Sequence, residues 1–254
     1  MPEKHYNIHY LEGTALVLKN IKENSYKPFA GIEQGLILDL GCGPGIDAIN
    51  IAKILGQQVK VTGIDHDPVM IDKAKTSAEA VPNVDFILSE AYPVPFDDQS
   101  VDGARAERLL QHLKEPAALV AEAYRVLRSG SPFVIVETDW SSLSFYNADI
   151  STAKKVNEYL TGKKVNNGAV ARETSSLLKG SHFKNISLEV YPFVVRSLNE
   201  IFTYLLLDQS LTEMKDKGYL TENEHTAFIK DLEEAEASGY FVCTINLIIA
   251  SAVK

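Results

Sequence analysis

Short apolar runs alternate with longer segments of helical period between residues 35 and 140. Each run is five to seven residues long and is bounded by turn-forming or polar residues, which predicts strands, and the segments between them predict helices. The predicted strands cover residues 36–40, 59–65, 84–88, 101–106 and 133–137. Such alternation is typical of β-α units on a parallel sheet.

Local boundary signals place the helices between these strands. Residues 46–55 put apolar side chains on one face, and Gly56 ends that helix. Asp67-Pro68 begins the next, since aspartate accepts from the unpaired amides of the first turn and proline has no amide to satisfy. Residues 116–127 predict a further helix with an apolar face.

The pattern changes on both sides of this region. Residues 1–34 predict one or two leading helices, with Leu11, Ala15, Leu18 and either Ile21 or Lys22 at helical spacing. After residue 140, we expect polar helices near 149–162 and 169–180, a strand at 186–195, two helices within 198–237 and an apolar strand at 241–253.

Composition narrows the classes of partner. A formal charge of −9 repels nucleic-acid phosphates, and the sequence has no basic stretch with interleaved aromatics, so we expect a small-molecule substrate and no nucleic acid. It also lacks a membrane-length apolar run and a signal-peptide pattern. With only Cys42 and Cys243, we expect no disulfide framework, no metal site and a reducing cytoplasm.

The segment from Leu38 to Gly45 combines a buried strand, Asp39 and alternate glycines that lead into a helix. Such turns let backbone approach a ligand closely, although some tight turns of this kind hold no ligand. A dinucleotide fingerprint needs a small residue where Ile46 stands, and a P-loop needs Gly-Lys-Ser/Thr where Ile46-Asp47 follow. NAD and nucleoside triphosphates are therefore disfavoured.

Two further carboxylates follow strands at the same edge of the predicted sheet. Asp65 ends the second strand, where a carboxylate can accept both ribose hydroxyls of an adenosine; its alternative role, a helix cap, suits Asp67 better. Glu90 follows the third strand. His66 lies beside Asp65, either next to a bound base or as a solvent-exposed turn residue.

These motifs together resemble class I S-adenosylmethionine-dependent methyltransferases, most closely the branch similar to ubiquinone/menaquinone methyltransferases and other small-molecule enzymes. The resemblance implies a Rossmann-like α/β fold with a mostly parallel seven-stranded sheet of order 3-2-1-4-5-7-6, its last strand antiparallel, helices on both faces and a helical cap. The segments that carry it are Leu38–Gly45, Gly63–Asp65, Glu90-Ala91 with Pro95-Phe96-Asp97, Val101-Asp102 and Leu127–Gly130.

At 254 residues the chain does not call for a split, so we expect a single domain over residues 1–254, with the family resembled closely over about 35–140 and only in layout elsewhere. The parts of this domain are an N-terminal helical lid (1–34), a cofactor-binding core (35–140) and an acceptor-side region (141–254) with a helical insertion at about 198–238. The resemblance also implies S-adenosylmethionine as cofactor and S-adenosylhomocysteine as product. The implied cofactor contacts are Asp39 and the backbone of Gly41, Cys42 and Gly43 for the methionine portion, Asp65 for the ribose, and Glu90 with the Ala91 amide for the adenine. His66 would then lie beside the adenine, and the backbone carbonyl of Arg105 or Ala106 could accept from the amino group.

The acceptor side is less defined. His112 matches a histidine of the family that is a candidate base but more often structural. Glu107 either faces the acceptor or forms a surface ion pair with Arg108. Asp139-Trp140 ends the fifth strand and could line the acceptor pocket, or Trp140 could fill the junction with later helices. Tyr10 is a candidate pocket residue of the N-terminal lid.

The sequence therefore predicts transfer of a methyl group to a small, apolar or aromatic molecule by in-line displacement, without a metal. Two alternatives stay open: an NAD-type oxidoreductase and a non-catalytic S-adenosylmethionine-binding protein. We expect a cytoplasmic monomer or homodimer with no integral membrane segment.

Overall fold

The computed structural model describes residues 8–254, apart from the side chain of His9. The helices are α1 (Ile8–Val17), α2 (Lys19–Tyr26), α3 (Ile46–Leu55), α4 (Pro68–Ser77), α5 (Pro116–Val126), α6 (Ile150–Tyr159), α7 (Val170–Gly180), α8 (Leu198–Leu205), α9 (Leu207–Asp216) and α10 (Glu222–Ala237). Shorter helical turns cover Lys27–Phe29, Leu110–His112 and Leu160–Lys164. The strands are β1 (Gly35–Leu40), β2 (Val59–Asp65), β3 (Val84–Leu88), β4 (Gly103–Glu107), β5 (Pro132–Phe145), β6 (Lys184–Val195) and β7 (Cys243–Val253).

The seven strands form one sheet in the order β3-β2-β1-β4-β5-β7-β6, which confirms the predicted topology. The first five are parallel neighbours in this order. β7 runs antiparallel to β5: Lys254 N donates to Ser131 O at 3.1 Å, and Tyr146 N donates to Val242 O at 3.2 Å. The carboxyl ends of β1 to β4 therefore meet at one edge, where open α/β sheets bind ligands.

The predicted boundary residues act as expected in the first half of the chain. Asp67 Oδ1 accepts from Val69 N at 2.8 Å and begins α4, with Pro68 as its first residue. Gly56 adopts a φ of +81° at the end of α3. Both sites use local chemistry, which is why the sequence predicts them without tertiary information.

Two predictions for the second half were wrong. β5 does not end near residue 140 but continues to Phe145, because its extension pairs with β7, as in the bond from Asn246 N to Ser142 Oγ at 2.8 Å. Residues 198–237 form three helices rather than two. Leu206 adopts a φ of +51° and separates α8 from α9, and an apolar leucine gives no signal for such a break.

The chain divides into two compact units. Among the described residues, the first contains 8–137, 173–189 and 249–254, and the second contains 138–172 and 190–248. The second has its own apolar core, to which α6 contributes Val156, α9 Leu211 and α10 Phe228. The single domain predicted for residues 1–254 stays a prediction. Among residues 8–254, no helix is both long and apolar enough to cross a membrane.

Candidate cofactor-binding site

The glycine turn joins β1 to α3 at the carboxyl edge of the sheet. Asp39 lies level with Gly63 of β2 and Arg105 of β4, so both neighbouring strands flank the start of the turn. Gly41 has a φ of +69°, and a Cβ placed there would lie 2.9 Å from the side chain of Leu109. The positive φ favours glycine at position 41, and a side chain there would also have to displace the flexible end of Leu109.

The backbone amides of this turn bond to oxygen atoms of the protein itself. The pairs are Gly41 N and Cys42 N with Ile64 O at 2.8 and 2.9 Å, Gly43 N with Asp65 Oδ2 at 2.8 Å, and Gly45 N with Cys42 O at 3.0 Å. Pro44 has no amide. The turn therefore presents no amide to a pyrophosphate, which is the contact that dinucleotide-binding turns make. This arrangement disfavours the NAD alternative and leaves the carbonyl oxygens of the turn as its polar contacts.

Asp65 ends β2 with a side chain that is 12% exposed. Its Oδ2 accepts from Gly43 N, and its Oδ1 accepts from Asp67 N at 3.0 Å. A carboxylate has about four lone-pair sites, so two backbone bonds fix its orientation and leave capacity for a diol. Since Asp67 caps α4, Asp65 is not the helix cap, and its predicted ribose role fits the geometry.

His66 and Glu90 lie beside Asp65 at the same edge. The His66 Nδ1 atom is 3.5 Å from Asp65 Oδ1, and the His66 side chain is largely exposed. Ser89 N donates to Asp65 O at 3.0 Å, which holds the end of β3 against the end of β2. Glu90 is exposed and Ala91 half-buried. The adenine contacts assigned to these residues stay a prediction.

Arg105 is fully buried, and its side chain enters a cluster of charges. Nη1 lies 3.4 Å from Asp39 Oδ1, Nε donates to Ser25 Oγ at 3.0 Å, and Nη2 donates to Glu107 Oε2. The sequence predicts a role only for the backbone carbonyl at this position or at the adjacent Ala106, which pairs in register with Leu40. The side-chain role of Arg105 was missed.

Glu107 does pair with Arg108, at 3.4 Å, but not at the surface. The Glu107 side chain is 7% exposed and also accepts from Lys22 and Arg105, so the surface ion pair is wrong. Burial raises the pKa of Glu107, but Lys22, Arg105 and Arg108 outweigh burial and hold this pKa well below its usual range. Two buried cations and the half-buried Arg108 keep this carboxylate ionised.

Helix α2 supplies a group of site residues that sequence reasoning did not identify. Lys22 Nζ bonds Asp47 Oδ2 at 2.7 Å as well as Glu107, and Tyr26 Oη donates to Asp47 Oδ1. Lys22, Ser25 and Tyr26 are all buried. The signal was present, since Lys22 falls on the apolar face of the predicted helix, where a lysine needs a buried partner.

Two buried carboxyl groups have raised pKa values. Burial raises the pKa of Asp39 to about 7, with Arg105 opposing and Asp47 and Glu107 adding to the shift. Burial likewise raises the pKa of Glu137, at the end of the parallel part of β5, to about 8. Glu137 Oε1 accepts from Leu110 N at 2.6 Å, and Oε2 has no hydrogen-bond partner within residues 8–254.

The candidate acceptor residues are spread over several elements. Tyr10 lies half-buried in α1, and half-buried His112 ends the helical turn Leu110–His112. In the second unit, Asp139 is buried and accepts from Arg172 Nε at 3.0 Å. Trp140 lies within β5 and packs against the core of that unit, which fits its alternative role as a filler at the junction with later helices.

Comparisons with known proteins place these features in context. Residues 37–130 match the family described as "Methyltransferase domain". A 37.1 kDa protein of transposon Tn4556 from Streptomyces fradiae, whose function is uncharacterized, is 32% identical over 215 residues, which cover 85% of this chain and 61% of that protein. A demethylmenaquinone methyltransferase of Lactococcus lactis is 32% identical over 112 residues, covering 43% of this chain and 44% of that protein.

The fold is also found among solved structures. A Bacillus halodurans C-125 protein described as a candidate methyltransferase has a TM-score of 0.65 and 18% identity, with coverage of 91% of this chain and 97% of that one. Identity this low shows the fold alone, and it agrees with the predicted topology. The chain spans less than two thirds of the length of the two curated relatives described above.

Proposed function

We propose, on the premise that this chain carries a class I methyltransferase domain, that it transfers a methyl group from S-adenosylmethionine to a small molecule. The match of residues 37–130 to the family described as "Methyltransferase domain" agrees with the resemblance of the motifs and supports this proposal. The observation that carries the proposal is the turn after β1, which sets Asp39 and Asp65 at one sheet edge and uses its own amides internally. Such a turn, whose polar contacts are carbonyl oxygens, suits a nucleoside with cationic groups better than a pyrophosphate.

The residues at this edge fit S-adenosylmethionine, the donor of this family. Asp65 has lone pairs for the ribose hydroxyls, and Asp39 supplies a carboxylate for the methionine ammonium group. The donor supplies a methyl group activated by a sulfonium. Asp65 at one end of the donor and Asp39 at the other would fix its orientation, and alignment of this kind contributes strongly to a displacement reaction.

The chain needs few chemical groups of its own for this reaction. In-line displacement from a sulfonium disperses positive charge, so the protein's tasks are to align the acceptor and exclude water. A base is required only for an acceptor that arrives protonated, such as a phenol. We assign that role to His112, which lies just beyond β4 in the segment that follows Arg105 and Glu107.

For the acceptor we propose an apolar or aromatic small molecule. The Lactococcus relative is named for demethylmenaquinone, which is a quinone. The net charge of −9 disfavours polyanionic acceptors. Tyr10, Glu107, Asp139 and Trp140 remain the proposed acceptor-side residues, although the ion pairs of Glu107 also give it a structural role.

A transfer assay tests this function. Purified protein is incubated with methyl-labelled S-adenosylmethionine and a panel of quinols, phenols, amines and carboxylic acids, and products are separated by chromatography. We expect label in a quinol or phenol product with the wild type and loss of that product with Asp65→Ala. Donor binding without transfer to any member of the panel would favour the alternative of a non-catalytic S-adenosylmethionine-binding protein.

We also propose a compartment and an oligomeric state for this chain. Cys42 and Cys243 are both free and buried, which suits a reducing compartment such as the cytoplasm. We propose a monomer or homodimer, to be measured by light scattering on the purified chain.

A further inference from the structure

We propose that Lys22 of α2 is a positioning residue of the donor site, which favours the ionised form of Asp39 and orients it through Asp47 and Arg105. This inference rests on the proposed function, because it concerns how the methionine end of S-adenosylmethionine is held. Lys22 lies outside the family match, which begins at residue 37. It is a residue of the N-terminal helices, to which the resemblance assigns only a covering role.

Lys22 carries a buried ammonium group. Its side chain is 6% exposed on a short helix of polar composition, so desolvation of the ammonium must be offset by specific partners. Those partners are Asp47 in the first turn of α3, at 2.7 Å, and Glu107 at the end of β4. A single ammonium therefore joins α2 to α3, which follows the glycine turn, and to β4, which pairs with β1.

Arg105 connects these carboxylates to Asp39. Arg105 Nη2 lies 3.5 Å from Asp47 Oδ1 and donates to Glu107, while Nη1 of the same guanidinium lies 3.4 Å from Asp39 Oδ1. Lys22 and Arg105 thus share both carboxylates. Since the guanidinium is planar and rigid, its orientation on Asp47 and Glu107 also sets its approach to Asp39.

The cations and carboxylates of this cluster balance one another. Lys22, Arg105 and Arg108 supply three cations, and the carboxylates of Asp39, Asp47 and Glu107 offset them. The groups that act on Asp39 are Arg105 and Glu107 from β4, Asp47 from α3, Lys22 from α2 and the adjacent Cys42 thiol. Loss of Lys22 leaves one negative charge in excess, and Asp39 would take up a proton because its pKa is already about 7.

A protonated Asp39 is a poor acceptor for the ligand's ammonium group. The expected consequence is weaker donor binding near neutral pH that recovers as the pH rises and Asp39 ionises again. A role of Lys22 in stability alone would weaken binding equally at every pH. The pH profile of affinity therefore separates a positioning role from a structural one.

The experiment is calorimetry with S-adenosylhomocysteine between pH 6.5 and 9 on the full chain. A rise of about one unit in the pKa of Asp39, from about 7, should make Lys22→Met bind about fivefold more weakly than the wild type at pH 7, and the deficit should fade by pH 9. Lys22→Arg should follow the wild-type profile. Titration of the ligand itself is common to all variants, so it does not affect these differences.

Two further variants separate charge from folding. The double variant Lys22→Met/Asp47→Asn restores charge balance and should return the pH profile towards that of the wild type, even if the single variant is unstable. Lys73→Met removes a lysine of similar type from a half-exposed pair with Glu12, 3.2 Å away, and should leave the profile unchanged. A Lys22→Met profile parallel to the wild type at every pH, or a double variant that keeps the pH-dependent deficit of the single variant, would overturn the positioning role. A wild type that binds no S-adenosylhomocysteine would overturn the proposed function as well.

Discussion

The buried carboxyl group of Glu137 should make stability depend on pH, and Glu137→Gln should remove that dependence. Burial raises the pKa of Glu137 from 4.5 to about 8 in the folded chain. Between these two pH values the folded state keeps a proton that the unfolded state releases, so stability decreases as the pH rises. The contribution is fully present below pH 4.5 and is lost as the pH rises through about 8.

The magnitude follows from linkage. One proton of difference corresponds to about 1.4 kcal/mol per pH unit, which amounts to about 2.5 kcal/mol between about pH 5.5 and pH 7.5 for these two pKa values. Glutamine keeps the shape and the acceptor for the Leu110 amide but carries no titrating proton. The free energy of unfolding of Glu137→Gln, relative to the wild type, should therefore rise by this amount across the interval.

Urea unfolding of both proteins at several pH values in this interval measures the difference. Asp39 also has a raised pKa, but it is present in both proteins and cancels from the comparison. Glu213→Gln is a matched control. Hydrogen bonds from Lys164 and Lys217 lower the pKa of Glu213 to about 2, so the effect of this substitution should be constant over the interval. Parallel stability curves for Glu137→Gln and the wild type would refute the account of Glu137.

Three other substitutions test separate features. Glu107→Gln leaves buried Lys22 without one of its two carboxylate partners, so it should lower the free energy of unfolding by about 3–5 kcal/mol in a urea titration. A loss of at most about 1 kcal/mol, which is typical of an exposed ion pair, would contradict the buried network. Gly41→Val places a side chain against Leu109 and should abolish binding of S-adenosylhomocysteine in calorimetry, while retained affinity would mean that the turn tolerates a side chain. Thr221→Ala removes the side-chain cap of α10 and should cost about 1 kcal/mol, seen as a lower midpoint of thermal unfolding, whereas Thr221→Ser should retain the midpoint.

The cofactor half of the fold could be predicted because its signals are local. The Asp67-Pro68 helix start, the glycine turn and the apolar strands each depend on a few adjacent residues. The order of the strands came from the family resemblance, and the structure has the same order. By contrast, the extension of β5 depends on pairing with β7, about one hundred residues later, which no local pattern reveals.

The site was predicted unevenly for a similar reason. Asp39 and Asp65 are recognisable from their positions after strands, whereas Lys22 and Asp47 acquire their roles only when α2 packs against α3. Glu107 was expected at the surface or facing an acceptor because its neighbours in sequence do not show that two further cations, Lys22 and Arg105, surround it. The members of a buried charge network are set by tertiary neighbours. The only sign of them in the sequence is a charged residue at an apolar position of a predicted helix or strand.

The central claim is that the sheet edge at Asp39 and Asp65 binds S-adenosylmethionine rather than a dinucleotide. Calorimetry of the wild type and of Asp65→Ala with S-adenosylmethionine, S-adenosylhomocysteine and NAD tests it most directly. We expect one site for each of the first two ligands, much weaker binding to Asp65→Ala, and no heat with NAD. Binding of NAD without binding of either sulfur nucleoside would contradict the account.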